Sequence, residues 1–336
     1  MTDKIKWGVL GNASIARICI IPAIQRSHNG VVHALATRNP ENARSVAADH
    51  NIQHLYSSYD RLLADPEIDI IYNPLPNHLH HAFTLKALKR GKQVLCEKPL
   101  ACSAGEAQEM VDVAAQAGLL LMESFSYRFH PRSRRIKEMV AKNSIGKPCL
   151  VRSAFCFHLG EELLHSGDNP RLKPEMGGGA LLDVGCYSVS VARWLLESEP
   201  AQVQAQAVYH AGGVDVHFVG SLRFPDDVLV TLEASFITAL QQTYTIVGSE
   251  GAIELPHDAF IPWEKDAVFT LRGKDQEVGQ EHRTPGADGY QLMVEHFTEA
   301  VSGKTDLDYL PSDSVSTMRV LDALAEAART GTTRTV

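Results

Sequence analysis

Between Ile5 and Glu123 short apolar runs alternate with helix-length amphipathic segments, and nothing else in the chain restricts its folding as much. The runs 5–10, 31–36, 68–72, 93–96 and 119–123 read as strands. Helical patterns lie between them: from Ile15, from Pro40 to about His50, from the Pro74/Pro76 turn through Arg90, and from a Ser103 cap to about Ala117. Strands separated by helices cannot close as hairpins. They build parallel βαβ units, and so a doubly wound sheet.

After about Ser124 the pattern changes. A basic helix, about 131–143, leads to a strand over 149–157, an irregular stretch over 160–179 and a helix over 181–196. Within 201–271 longer strands alternate with period two, as in Val228-Leu229-Val230-Thr231-Leu232-Glu233-Ala234, and turn residues separate them. Helices over 289–302 and 313–329 follow. At 336 residues the chain suits two domains. We expect an α/β protein: an N-terminal Rossmann domain with a doubly wound parallel sheet, residues 1–124, then an α+β domain with a large, mostly antiparallel open sheet, residues 125–336. An open sheet with one face free of helices favours a homodimer or homotetramer.

A formal charge of −8 argues against a nucleic-acid surface, which needs a basic field. No run approaches the ~18 apolar residues of a membrane span. The six cysteines show no CxxC pair and read as buried small hydrophobes in a reducing compartment. The opening Met1-Thr2-Asp3-Lys4-Ile5-Lys6 passes straight into a strand pattern, so the expected location is the cytoplasm.

Gly11-x-Ala13-x-x-Ala16 follows the first strand and opens the first helix, the context of a dinucleotide fingerprint. Gly11 suits the tight turn, and Asn12, Ala13, Ser14 and Ile15 bring backbone N–H groups to a pyrophosphate at the helix start. An ordinary strand–turn–helix has the same pattern, and the motif alone leaves both open. The end of the second strand reads Thr37-Arg38-Asn39, with no carboxylate before Glu41 to hold a ribose 2′-hydroxyl. Thr37 and Arg38 suit a 2′-phosphate instead, which favours NADP, with NAD the alternative.

Lys98, in Glu97-Lys98-Pro99, leaves the strand 93–96 at the carboxyl edge of the sheet, where such folds bind ligands. Further on, Gly177-Gly178-Gly179 precedes a helix carrying Asp183 and Tyr187, whose spacing puts carboxylate and phenol on one face. The glycines allow the backbone to approach a ligand. An ammonium beside a phenol favours phenolate, so Lys98 next to Tyr187 makes a general acid/base for a carbinol proton. A capping Asp and a packing Tyr remain the alternative. Asn169 and Arg171, in the loop before the glycines, are candidates for a substrate wall. His78, His80 and His81 lack a converging carboxylate in the local sequence, and Asp65, Glu67 and Asp69 stand apart from them. No metal is expected. Arg132, Arg134, Arg135 and Lys137 read as a solvated basic face.

Gly8-Val9-Leu10-Gly11-x-Ala13-x-Ile15-Ala16, Glu97-Lys98-Pro99 and Gly177-Gly178-Gly179-Ala180-Leu181-x-Asp183-x-Gly185-x-Tyr187 together resemble the glucose–fructose oxidoreductase/inositol dehydrogenase (Gfo/Idh/MocA) family. The resemblance spans essentially the whole chain. Tyr187, where many inositol-type members carry His, resembles the subgroup of dimeric dihydrodiol dehydrogenases and NADP-linked xylose dehydrogenases. It implies that Lys98 and Tyr187 are catalytic and that Asp183 binds substrate or orients the Tyr. It also implies that Pro74, Leu75, Asn77, His80 and Glu97 line the nicotinamide side, and that the Lys98-Pro99 peptide is cis. Tyr127, Arg128 and His130 fall where the family places cofactor or substrate contacts: Arg128 for the cofactor, Tyr127 and His130 for polyol oxygens.

The expected activity is therefore NADP-dependent hydride transfer on a CH–OH or C=O carbon of a sugar, polyol or diol. Xylose or another aldose, a trans-dihydrodiol, a deoxyosone and a nucleotide-linked ketosugar are candidate substrates; the last lacks an obvious second phosphate loop. Two other readings stand. A glycosidase working by transient oxidation with NAD favours an acid near Thr37, and Arg38 counts against it. A non-catalytic NADP sensor has no use for Lys98, Asp183 and Tyr187 together.

Overall fold

The computed structural model describes residues 4–336; residues 1–3, which open the segment on which the expected location rests, lie outside the described residues. The chain forms two compact units that are not contiguous in sequence. One holds the chain through Phe129 together with Asp288–Val315, the other His130–Ala287 together with Ser316–Val336. Sequence patterning alone suggests a single division after residue 124. The return of 288–315 to the first unit follows from the helix Gly289–Val301, which buries Met293, Val294 and Phe297. The Phe297 ring lies 6.0 Å from the ring of Trp7 on the first strand.

In the first unit six strands, β1 (Ile5–Leu10), β2 (Gly30–Ala36), β3 (His54–Tyr56), β4 (Ile70–Asn73), β5 (Gln93–Cys96) and β6 (Leu121–Glu123), are ordered β3-β2-β1-β4-β5-β6. All five pairings are parallel. The central strands are apolar without alternation, and Trp7, Val9, Ile70, Ile71, Val94 and Leu95 are fully buried. A parallel sheet covered on both faces requires this. Chain order reverses between β1 and β4, which sets the ligand crevice at the carboxyl ends of those strands.

The second unit holds a nine-stranded sheet: β7 (Pro148–His158), β8 (Gln202–Tyr209), β9 (Asp215–Arg223), β10 (Leu229–Ser235), β11 (Ile237–Gly248), β12 (Gly251–Leu255), β13 (Ala267–Gly273), β14 (Gln280–Thr284) and β15 (Arg334–Thr335). Their order is β14-β13-β12-β11-β7-β10-β9-β8-β15. The sheet is mostly antiparallel, but β7 pairs parallel with β10 at its centre, so it is mixed rather than a plain meander. Along β10 the alternation is clean: Val230, Leu232 and Ala234 are buried, while Leu229, Thr231 and Glu233 face outward.

Two surface expectations are corrected. Arg132 is not solvated. Its guanidinium is buried and donates to the carbonyls of Asp258 (2.6 Å), Ala259 (2.8 Å) and Val268 (3.5 Å), so three acceptors replace water. The six cysteines form no disulfide, yet Cys149 at the start of β7 is exposed and Cys102 half-buried, so only four are buried. No described helix is long and apolar enough to cross a membrane.

Candidate active site

In the first unit every candidate cofactor residue follows a parallel strand at its carboxyl end. Gly11 leaves β1 at φ +88°, a left-handed value that favours glycine, and its N–H donates to the Ala36 carbonyl at 2.7 Å. A Cβ there would press to 3.1 Å against Leu75. Asn12 donates to the Asn42 carbonyl (2.9 Å), while its side-chain oxygen is buried with no hydrogen-bond partner. Such an acceptor fits a bound hydroxyl-bearing group. Helical backbone starts at Ser14 and Ile15, passes through a π turn over Ala16–Ile20 and continues as the helix Ile21–Arg26. After β2, Thr37 is largely buried and Arg38 exposed. Among the described residues Arg38 has no ion pair, because Glu41 is engaged by Arg44 at 2.7 Å.

After β4, buried Asn73 fixes the next turn: its amide donates to the His80 carbonyl and to Thr84 Oγ1, both at 3.2 Å, and its oxygen accepts from Leu75 N–H at 3.3 Å. Pro74 and Pro76 keep that turn extended ahead of the helix Asn77–Lys89. His80 bridges two turns, with Nε2 2.7 Å from the Leu75 carbonyl and Nδ1 2.8 Å from the Pro99 carbonyl. Complete burial pushes its pKa down to about 4, against the pull of both carbonyls, so the ring is neutral at pH 7. A neutral ring donates to one carbonyl only.

The Lys98-Pro99 peptide is cis. Beside it Glu97 is buried; it accepts from Tyr72 Oη (2.7 Å) and from Lys98 N–H (3.3 Å). Burial raises its pKa, and Lys98, Tyr72 and Ser124 oppose that rise. Lys98 is thus carried on a strand end whose neighbours are locked on both sides.

In the second unit the chain runs from the substrate-wall candidates to the phenol. Asn169 Oδ1 caps its own turn by accepting from Arg171 N–H at 3.0 Å. Arg171 Nε donates to Asp183 Oδ2 at 2.6 Å. Asp183 lies in a π turn, Leu181–Gly185, that continues as the helix Cys186–Leu196. Tyr187, 7% exposed, packs its ring 5.2 Å from both Phe155 and Phe260. The next residue, Ser188, bonds Ser153 on β7 at 2.8 Å, so the helix is pinned to the sheet at the Tyr187 position.

Residues 5–125 match the model of an oxidoreductase family with an NAD-binding Rossmann fold, and residues 133–254 match the GFO/IDH/MocA C-terminal domain. The chain belongs to the GFO/IDH/MocA family. It is an oxidoreductase. It is 37% identical over 325 residues to a D-xylose 1-dehydrogenase (NADP(+)) of Haloferax volcanii, covering 97% of this chain and 98% of that protein. It is 32% identical over 308 residues to a trans-1,2-dihydrobenzene-1,2-diol dehydrogenase of Xenopus tropicalis, covering 88% and 89%. Among solved structures it is similar to a 3-ketoreductase of Actinomadura kijaniata in complex with NADP and TDP-benzene, with a TM-score of 0.89, 27% identity and coverage of 97% and 98%.

Other parts of this GFO/IDH/MocA chain make internal contacts that the sequence does not announce. Tyr127 and His130 are each 1% exposed. His130 Nδ1 caps the helix Pro131–Ala141 by accepting from Arg132 N–H at 3.1 Å, and burial lowers its pKa to about 4. Arg128 is buried against Asp313 (2.7 Å) and lies 4.0 Å over the Tyr309 ring. Tyr309 donates to buried Glu123 at 2.6 Å, and Glu123 also accepts from Leu100 N–H at 2.8 Å. This network braces the peptide after Lys98, through residues no local motif marks. In the second unit Asp215 was equally hidden. Its carboxylate accepts from the N–H groups of Ala180 and Leu181, the latter at 2.7 Å, and so caps the turn that carries Asp183. Gly179, at φ +116°, is required because a Cβ would collide with Asp215. At this position the triple glycine admits the chain's own carboxylate.

Proposed function

We propose that the chain is an NADP-linked dehydrogenase or reductase acting on a CH–OH or C=O carbon of a small sugar, polyol or diol. The observation that carries this reading is the shared edge: Gly11, Thr37 and Arg38, the Pro74–Asn77 turn, and Glu97 with Lys98 all follow neighbouring parallel strands at their carboxyl ends. NADP, when bound, supplies or accepts the hydride. Gly11 through Ile15 hold its pyrophosphate with backbone N–H groups, Thr37 and Arg38 its 2′-phosphate, and Pro74, Leu75, Asn77, His80 and Glu97 shape the turns on its nicotinamide side.

Tyr187 exchanges the proton of the reacting hydroxyl, and Lys98 is the cation that favours its phenolate form. Asp183, oriented by Arg171, binds a substrate hydroxyl, and Asn169 holds the loop from which Arg171 reaches it. Arg128, through Tyr309 and Glu123, braces the peptide after Lys98, and His130 caps the helix Pro131–Ala141. The xylose and dihydrodiol dehydrogenases among the relatives support a small polyhydroxylated or vicinal-diol substrate. Exposed apolar side chains on the outward sheet face, Val208, Val219 and Leu229, support a homo-oligomer, and six cysteines outside any disulfide support the reducing cytoplasm.

The test is an NADP-linked absorbance screen against aldoses, polyols, dihydrodiols and dicarbonyl sugars, repeated with Tyr187→Phe on whichever substrate turns over. The variant should keep cofactor affinity and lose about 100-fold or more in kcat, the scale of a lost general acid/base. Near-normal turnover would remove Tyr187 from this role.

A further inference from the structure

The carboxylates of the 65–69 segment do have histidine partners, though not those adjacent in sequence. His33 on β2 and His54 at the start of β3 lie side by side with ring centroids 4.6 Å apart and ring planes tilted by 45°. Glu67, in the turn before β4, reaches the same point: one ligand atom each from His33, His54 and Glu67 lie within 4.8 Å of one another. His33 Nε2 is 3.3 Å from Glu67 Oε2 and 3.6 Å from Asp65 Oδ2. Asp65 is itself oriented, accepting from Tyr56 Oη and Glu67 N–H, each at 2.9 Å.

We propose that His33, His54 and Glu67, with Asp65 as fourth ligand or as its hydrogen-bonded support, bind one divalent transition-metal ion of the zinc class. An independent observation points to a missing ligand: His33 is only 4% exposed, yet its Nε2 has no hydrogen-bond partner. A buried ring nitrogen aimed at two carboxylates without bonding either is costly unless something lies between them. The separations of 3.3 and 3.6 Å between His33 Nε2 and the two carboxylates lie close to the about 3.3–3.4 Å that tetrahedral zinc, with bonds of about 2.0–2.1 Å, sets between its ligand atoms. Two imidazoles with carboxylate oxygens select a borderline ion over magnesium or calcium, which prefer all-oxygen shells. Two carboxylates balance the charge of the ion. Lys6, 3.4 Å from Glu67, is the resident cation that gives way.

The site lies towards the strand starts, since Glu67 precedes β4 and His54 opens β3, whereas the cofactor residues follow strand ends. Its occupancy can therefore be read without assaying turnover. Zinc titration calorimetry on the untagged full-length chain at pH 7 should give one ion per chain. Exposed ligands are the safest to change: His54→Ala and Glu67→Gln should each weaken binding about tenfold or more, while His81→Ala, a histidine paired with Glu109 elsewhere, leaves it unchanged. Zinc should also raise the Tm of the wild type but not of Glu67→Gln. Absence of binding, binding of equal strength in His54→Ala and Glu67→Gln, or binding lost only in His81→Ala would each overturn the proposal.

Discussion

Arg38 stands where a doubly wound sheet distinguishes two cofactors that differ by one phosphate. It is exposed, follows β2, and has no carboxylate partner among the described residues, so its charge is available to a 2′-phosphate. Charge-assisted hydrogen bonds of this kind are worth roughly 1.5–3 kcal/mol. Arg38→Ala should therefore weaken NADPH binding by about ten- to a hundredfold and leave NADH binding unchanged, measured by fluorescence titration; equal losses for both would reject the assignment. Arg38 and Lys98 stand out as candidates in the sequence because each sits in a short local motif beside an apolar strand. Asp215 was not. Its contact with Leu181 spans 34 positions, and neither residue type nor spacing signals it, so the glycines beside it pointed only to a ligand. Asp65 and Glu67 were visible as carboxylates, but His33 and His54 meet them only once β2 and β3 are paired.

At the scale of elements, the turns after β4 and β5 are joined by one imidazole. His80 has its ordinary pKa of about 6.5 in the unfolded chain and about 4 in the fold, where burial favours the neutral ring. The unfolded state thus binds more protons between those values. Stability from this group is complete above about pH 6.5 and is lost as pH falls towards 4, by about 3 kcal/mol in all. His130 acts in the same direction in the second unit. Urea unfolding of wild type and His80→Gln across pH 7 to 4 should show the gap between them closing as acid is added; parallel curves would show that His80 does not titrate this way. Period-two and helical patterns made most elements readable. The strand β3 escaped because it has three residues, and β14, Gln-Glu-His-Arg-Thr, because it carries no apolar alternation. The π turns over 16–20 and 181–185 are likewise invisible to a pattern that assumes 3.6 residues per turn.

For the whole molecule, the outward face of the large sheet carries exposed apolar side chains. Val208 on β8 is 54% exposed, with Val219 and Leu229 on the neighbouring strands also open. Val208→Glu should leave the fold intact and lower the mass measured by light scattering at micromolar concentration; an unchanged mass would place any assembly elsewhere. The open sheet and its antiparallel character could be foreseen, but the return of 288–315 to the first unit could not, because a helical pattern does not say which core it joins. That return has a consequence for how such a gene can be cut. The polypeptide passes from one unit to the other three times, so a fragment ending at Phe129 would be born without Tyr309 and Asp313. Glu123 would then be stranded without the phenol that donates to it, and Arg128 without the carboxylate that pairs its charge. Neither half is a movable cassette, and recombination that keeps only the fingerprint end would inherit a nucleotide fold with its keel removed.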